Sequence, residues 1–134
     1  MKKLLLHISL FFSLIGFSQN EQLAQYYYDK GDFEKAKISY ESLLGAQPYN
    51  SLYFQRVVEC QQQLQDFQGA EKNLLNRSKQ YQQASLLVEL GYNYQLQKQG
   101  DKASKLLSKI EAAYNKEETE MMVRLIKIRE SLWT

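Results

Sequence analysis

Residues 23–40, LAQYYYDKGDFEKAKISY, fall in register with residues 57–74, VVECQQQLQDFQGAEKNL, when the chain is slid by thirty-four positions. Gly31-Asp32-Phe33 lands on Gln65-Asp66-Phe67, and Ala36 lands on Ala70. Tyr40 lands on Leu74, Leu23 on Val57, and Ala24 on Val58. A fixed period of this length marks stacked helical pairs, not a single globular core. Arrays of this kind mostly bind and scaffold.

Outward from that stretch, apolar residues recur at spacings of three and four and never in sustained alternation, so the chain is expected to be all-helical. A first helix is expected from about Asn20 to Lys30, with Leu23, Ala24 and Tyr27 on one face. Gly31 ends it, since glycine accepts the left-handed backbone of a helix C-terminus. Asp32 caps a second helix that carries Phe33, Ala36, Tyr40, Leu43 and Leu44. Pro48 prevents its continuation, and Asn50-Ser51 opens the next pair. Phe54, Val57, Val58 and Gln61 mark the following helix, and Asp66 caps the one bearing Phe67, Ala70 and Leu74. A third pair carries Leu87, Leu90-Gly91 and Tyr94, then Ala103, Leu107 and Ile110, with Gly100-Asp101 expected to turn its hairpin. A last helix is expected over about Lys116 to Trp133. Met122, Leu125, Ile126, Leu132 and Trp133 are set to cover the array, and Met121, Val123 and Ile128 exceed what one seam needs.

The pattern over roughly residues 19–117 resembles the tetratricopeptide repeat family. The first repeat shows Leu23-Ala24, Tyr27, Ala36, Tyr40 and Pro48 at the family spacings. The third shows Leu90-Gly91, Tyr94 and Ala103, with Asn115 where proline would fall. The second is the weakest, with Val58, Gln61 and Gln82 in place of the small residue, the tyrosine and the proline. The resemblance implies a right-handed superhelical solenoid of antiparallel helix pairs. Repeats would span about 19–50, 51–83 and 84–117, followed by a terminal helix over 118–133. It also implies a concave face, lined by the first helix of each pair, that holds an extended peptide or a partner helix. The residues expected there are Glu21, Gln25 and Tyr28, then Gln55, Glu59 and Gln62, then Val88, Tyr92 and Gln95. Amides donate to and accept from a peptide backbone, and tyrosine adds contact area at small entropic cost. The family's charged clamp for a C-terminal carboxylate is not expected, because Glu21, Gln25, Ser85 and Glu89 stand where its basic and amide residues would be.

The first eighteen residues are a different kind of sequence. Lys2 and Lys3 precede an almost wholly apolar run from Leu4 to Phe17, and Gly16-Phe17-Ser18 places small residues before a cut. That is the layout of a secretory signal peptide, with cleavage expected between Ser18 and Gln19 and a periplasmic or cell-envelope destination. The other reading is an uncleaved N-terminal anchor. A lipoprotein is not expected, since no cysteine follows the apolar run.

The leader holds two of the 17 basic residues and none of the 15 acids, so the mature chain carries 15 of each. No overall positive field remains to steer nucleic acid. The lone histidine, His7, also leaves with the leader. The mature chain thus has no Ser-His or Cys-His nucleophile and lacks the commonest metal ligand. Cys60 sits in a helical pattern and reads as a small apolar filler. Glu117-Glu118-Thr119-Glu120 reads as acids favouring a helix start. There is no glycine-rich phosphate loop and no metal-ligand spacing. The expectation is therefore a binding module for a protein or peptide partner, with no cofactor, no small-molecule substrate and no catalysis. The alternative is a structural or self-associating segment, or the front of a longer array, acting through the terminal helix.

Overall fold

The computed structural model describes residues 19–132. Residues 1–18, where a leader ending at Ser18 is expected, and Trp133 lie outside them. The described residues are all-α: α1 over residues 19–29, α2 Phe33–Ala46, α3 Ser51–Gln63, α4 Phe67–Gln80, α5 Ala84–Leu96, α6 Gly100–Ala113 and α7 Lys116–Leu132. They hold no strand and divide into two compact units, parting between Leu64 and Gln65.

In the first unit, α1 to α3 close on one core. Ala24, Ala36, Tyr40, Leu43, Tyr53, Val57 and Cys60 are buried together, with Tyr27, Tyr28, Phe33 and Leu44 packed against them. The two alanines are fully buried, which lets α1 and α2 approach closely. The Tyr40 and Tyr53 rings meet at 6.1 Å, and Phe33 sits edge-on to Tyr28 at 5.7 Å. Leu23, expected on the packing face of α1, is exposed.

In the second unit, α5 is central: it packs against α4, α6 and α7. Ala70 and Leu74 of α4 are buried, as are Leu86, Leu90, Tyr92 and Tyr94 of α5, Leu106 and Ile110 of α6, and Met122 of α7. Asn93 is fully buried, and its side-chain amide donates to the Phe67 carbonyl at 2.9 Å. A buried amide satisfied this way ties α5 to the start of α4 without an orphaned donor.

The period reappears in the backbone. Gly31, Gln65 and Lys98 all adopt positive φ, at 74°, 60° and 54°. Each lies five residues before Ala36, Ala70 and Ala103 respectively. The first and third are Schellman turns. Asp32 N–H bonds the Tyr27 carbonyl and Gly31 N–H that of Tyr28; Gln99 N–H bonds the Tyr94 carbonyl and Lys98 N–H that of Gln95. This corrects the expected third hairpin. Gly100 and Asp101 lie inside the first turn of α6, and the bend is made by residues 97–99. The carbonyls at the end of α5 dictate the left-handed position, and Lys98 takes it without a glycine. The conformation costs a non-glycine residue roughly 1–2 kcal/mol. Gln65→Gly and Lys98→Gly are accordingly expected to raise stability by about 0.5–1 kcal/mol each, net of the added chain entropy, and Gly31→Ala to lower it. Urea midpoints of the three variants check this.

The helix starts follow their caps. Asp32, Asn50 and Asp66 accept from the backbone N–H of Lys35, Tyr53 and Gly69. Asn115 and Glu118 cap α7 reciprocally, at 2.9 and 3.0 Å, which is a capping-box arrangement. The terminal helix turns only part of the expected face inward. Thr119 and Met122 are buried and Ile126 half-buried, whereas Leu125 and Leu132 are exposed. A 3.6-residue period carries positions 125 and 132 away from the face defined by 119, 122 and 126.

Candidate binding surface

Four residues expected on the concave face come together in the first unit. Gln25 and Tyr28 lie one turn apart on α1, and Gln55 and Glu59 lie one turn apart on α3. The Glu59 carboxylate is the hub. Its Oε2 accepts from the Tyr28 hydroxyl at 2.8 Å and from Arg56 Nη1 at 2.8 Å, and its Oε1 accepts from the Gln55 amide at 2.9 Å. The Arg56 guanidinium also lies over the Tyr28 ring, 4.2 Å from its centroid. Beside this hub, Gln25 Oε1 accepts from the Tyr40 hydroxyl at 2.9 Å, and its amide nitrogen donates to Asp29 at 2.7 Å. Glu21 is exposed at the start of the same helix.

The physical chemistry of this patch follows from those bonds. The Glu59 side chain is 12 % exposed and its ion pair with Arg56 is largely sheltered, so the two charges cancel locally. Burial, then the hydrogen bond to Glu59, push the Tyr28 hydroxyl up to about 12. It therefore remains a neutral donor throughout the physiological range. Each hub side chain is held by at least one other, which leaves a pre-ordered surface of amide and phenol around a locally neutral ion pair, with Gln55 exposed upon it and the exposed carboxylates of Glu21 and Asp29 on α1 beside it. Cys60 lies next to the hub but is fully buried. Burial pushes its thiol up to about 12, which suits a filler and not a nucleophile.

The other expected residues behave differently. Gln62 and Tyr92 are each 1 % exposed, and Val88 is buried as well. Their expected place on an open face is thus corrected, because a side chain with no accessible surface cannot touch a partner directly. Tyr92 belongs instead to the core of the second unit. The Arg129 guanidinium sits 4.9 Å from its ring centroid and holds Glu89 through two bonds, at 3.0 and 3.3 Å. Gln95 is exposed. It lines a mainly apolar cleft of about 250 Å³ between α5, α6 and α7, walled by Gly91, Leu106, Leu107, Ile110, Val123 and Ile126. Gly91 is the point of closest approach, since a Cβ there would meet Ile126 Cδ1 at 2.6 Å.

Sequence reasoning missed Arg56, which neutralises the hub. Its signal was present as a basic residue three positions before an acid on a helix. The cleft carried no such signal. Among the described residues no group of histidine, cysteine and carboxylate side chains could hold a metal, and no helix is long and apolar enough to cross a membrane. Compared with known proteins, the chain matches no family model and no curated relative.

Proposed function

We propose that this chain is an exported binding module of tetratricopeptide type, a right-handed helical array that acts by holding a protein or peptide partner and not by catalysis. The observation that carries the proposal is the convergence of Tyr28, Gln55 and Glu59 into one hydrogen-bonded patch on α1 and α3, with Gln25 fixed on α1 by Tyr40 and Asp29. A pre-ordered polar surface loses little side-chain entropy when a partner binds. Amides with remaining donor and acceptor capacity suit an extended peptide backbone. The neutralised Glu59–Arg56 pair argues against an ionic clamp. The leader over residues 1–18 supports a periplasmic or cell-envelope location.

The test is capture from the cell envelope by the exported protein, carrying a photo-crosslinker beside Gln55. Intact mass of the same sample is expected to show a chain beginning at Gln19. Tyr28→Ala combined with Gln55→Ala is expected to weaken capture at least roughly tenfold, about 1.4 kcal/mol, the scale of losing an interface tyrosine. Helicity should be retained. Capture should change little between low and high salt, because the Glu59–Arg56 hub at the centre of the patch is neutral and sheltered. A helical double variant that captures as well as the parent rejects the surface.

A further inference from the structure

The second unit holds an apolar cleft that its own side chains do not fill. α5 packs against both α6 and α7, whereas α6 and α7 touch each other little. Gly91 has no Cβ to hold Ile126 away, so α7 leans on α5 and a space of about 250 Å³ stays open. Its walls are aliphatic: Leu106, Leu107 and Ile110 of α6 face Val123 and Ile126 of α7. Space of this character stays dry, and hydrocarbon is what fills it favourably.

Three polar residues complete the lining and narrow the occupant. Gln95, Ser104 and Lys127 line the cleft and are all exposed, so they stand where it opens to solvent. Lys127 holds no ion pair with any described residue. Among the described residues no acid belongs to the lining. Asp101, Glu111 and Glu130, each within a turn of a lining residue, are exposed outside it. An apolar space with a single cation at its opening complements a ligand with an apolar body and one negative charge. A peptide backbone fits poorly, because every N–H and C=O laid against aliphatic walls loses its hydrogen bonds to water. We infer that the cleft binds a straight-chain monocarboxylate, with its hydrocarbon tail among the aliphatic side chains and its carboxylate on the Lys127 ammonium. Gln95 and Ser104 supply neutral donors at the same opening. A dry cavity of about 150 Å³ takes benzene, so this one holds a chain of about ten carbons. The site is separate from the α1–α3 patch and does not rest on it.

Isothermal titration calorimetry of the full chain with hexanoate, octanoate, decanoate and dodecanoate, each below its micelle concentration, reads it. Decanoate is expected to bind with a dissociation constant on the order of 0.1 mM, given the efficiency that small ligands reach. Each methylene up to decanoate should tighten binding roughly fourfold, and the gain should stop near that length because the cleft ends. Lys127→Gln is expected to weaken decanoate about threefold, the scale of an exposed ion pair, and to remove the salt dependence of its binding. The same variant should bind decanol as the parent does, with circular dichroism unchanged. Lys116→Gln, an exposed lysine of the same helix outside the cleft, should bind decanoate as the parent does. Three results overturn the inference. The first is no saturable binding, which gives the cleft to an apolar side chain of a protein partner or to closure in solution. The second is an affinity that keeps rising through dodecanoate, the mark of a nonspecific apolar surface. The third is a decanoate affinity that Lys127→Gln leaves unchanged or that Lys116→Gln lowers equally.

Discussion

Tyr92→Ala is expected to cost the second unit about 3–5 kcal/mol, the range for truncating a large buried aromatic side chain. Tyr92 is fully buried on the central helix of that unit. Removing it leaves a cavity at the centre of packing that rigid neighbouring helices fill poorly. It also removes the ring beneath the Arg129 guanidinium, and with it one support of the Arg129–Glu89 pair that joins α7 to α5. Small domains have stabilities of about 5–15 kcal/mol, so the loss is a large share of the whole. Tyr28→Ala should cost distinctly less, because Tyr28 is only half-buried and its neighbours Arg56 and Gln55 keep Glu59 satisfied. Urea denaturation followed by circular dichroism distinguishes them. Equal midpoints for Tyr28→Ala and Tyr92→Ala would mean that Tyr92 is not a core residue.

These two tyrosines also show how far the sequence was legible. Both stand on first helices of their pairs, away from the expected seam, and composition treats them alike. The difference lies in neighbours distant along the chain. Tyr28 gains a polar hub from α3, whereas Tyr92 is sealed beneath Arg129, thirty-seven residues later. Local pattern was reliable where the cause is local. Asp32, Asn50 and Asp66 cap their helices because a short polar side chain reaches its own first turn. Ala36 and Ala70 are closed because small residues at helix crossings have one purpose. Pattern failed where the backbone overrides residue identity. Lys98 makes the left-handed turn that Gly100 was expected to make, because the carbonyls of Tyr94 and Gln95 fix the position. On α7 both apolar faces satisfy a helical period, so spacing alone could not say which turns inward. The packing of α7 on α5 decided it.

Ala36→Trp and Ala70→Trp should be among the most damaging single changes in the chain. Both alanines have no exposed surface. Ala36 is enclosed in the cluster of Ala24, Tyr40, Leu43, Tyr53, Val57 and Cys60, and an indole there must force α1 and α2 apart. Overpacking by a few methylenes already costs about 1–3 kcal/mol, and tryptophan adds far more volume than that, so the losses should reach or exceed the upper end. The two positions serve different units, Ala36 the first and Ala70 the second. Each variant should therefore lower the stability of its own unit, and the pair should do so nearly additively, as distant sites do. Gln55→Ala is the control: Gln55 is exposed, and a surface change of this kind stays within about ±0.5 kcal/mol. Thermal midpoints of the three variants are the measurement. If the tryptophan variants melt with the glutamine control, the alanines do not mark helix crossings, and the thirty-four-residue frame loses its structural meaning.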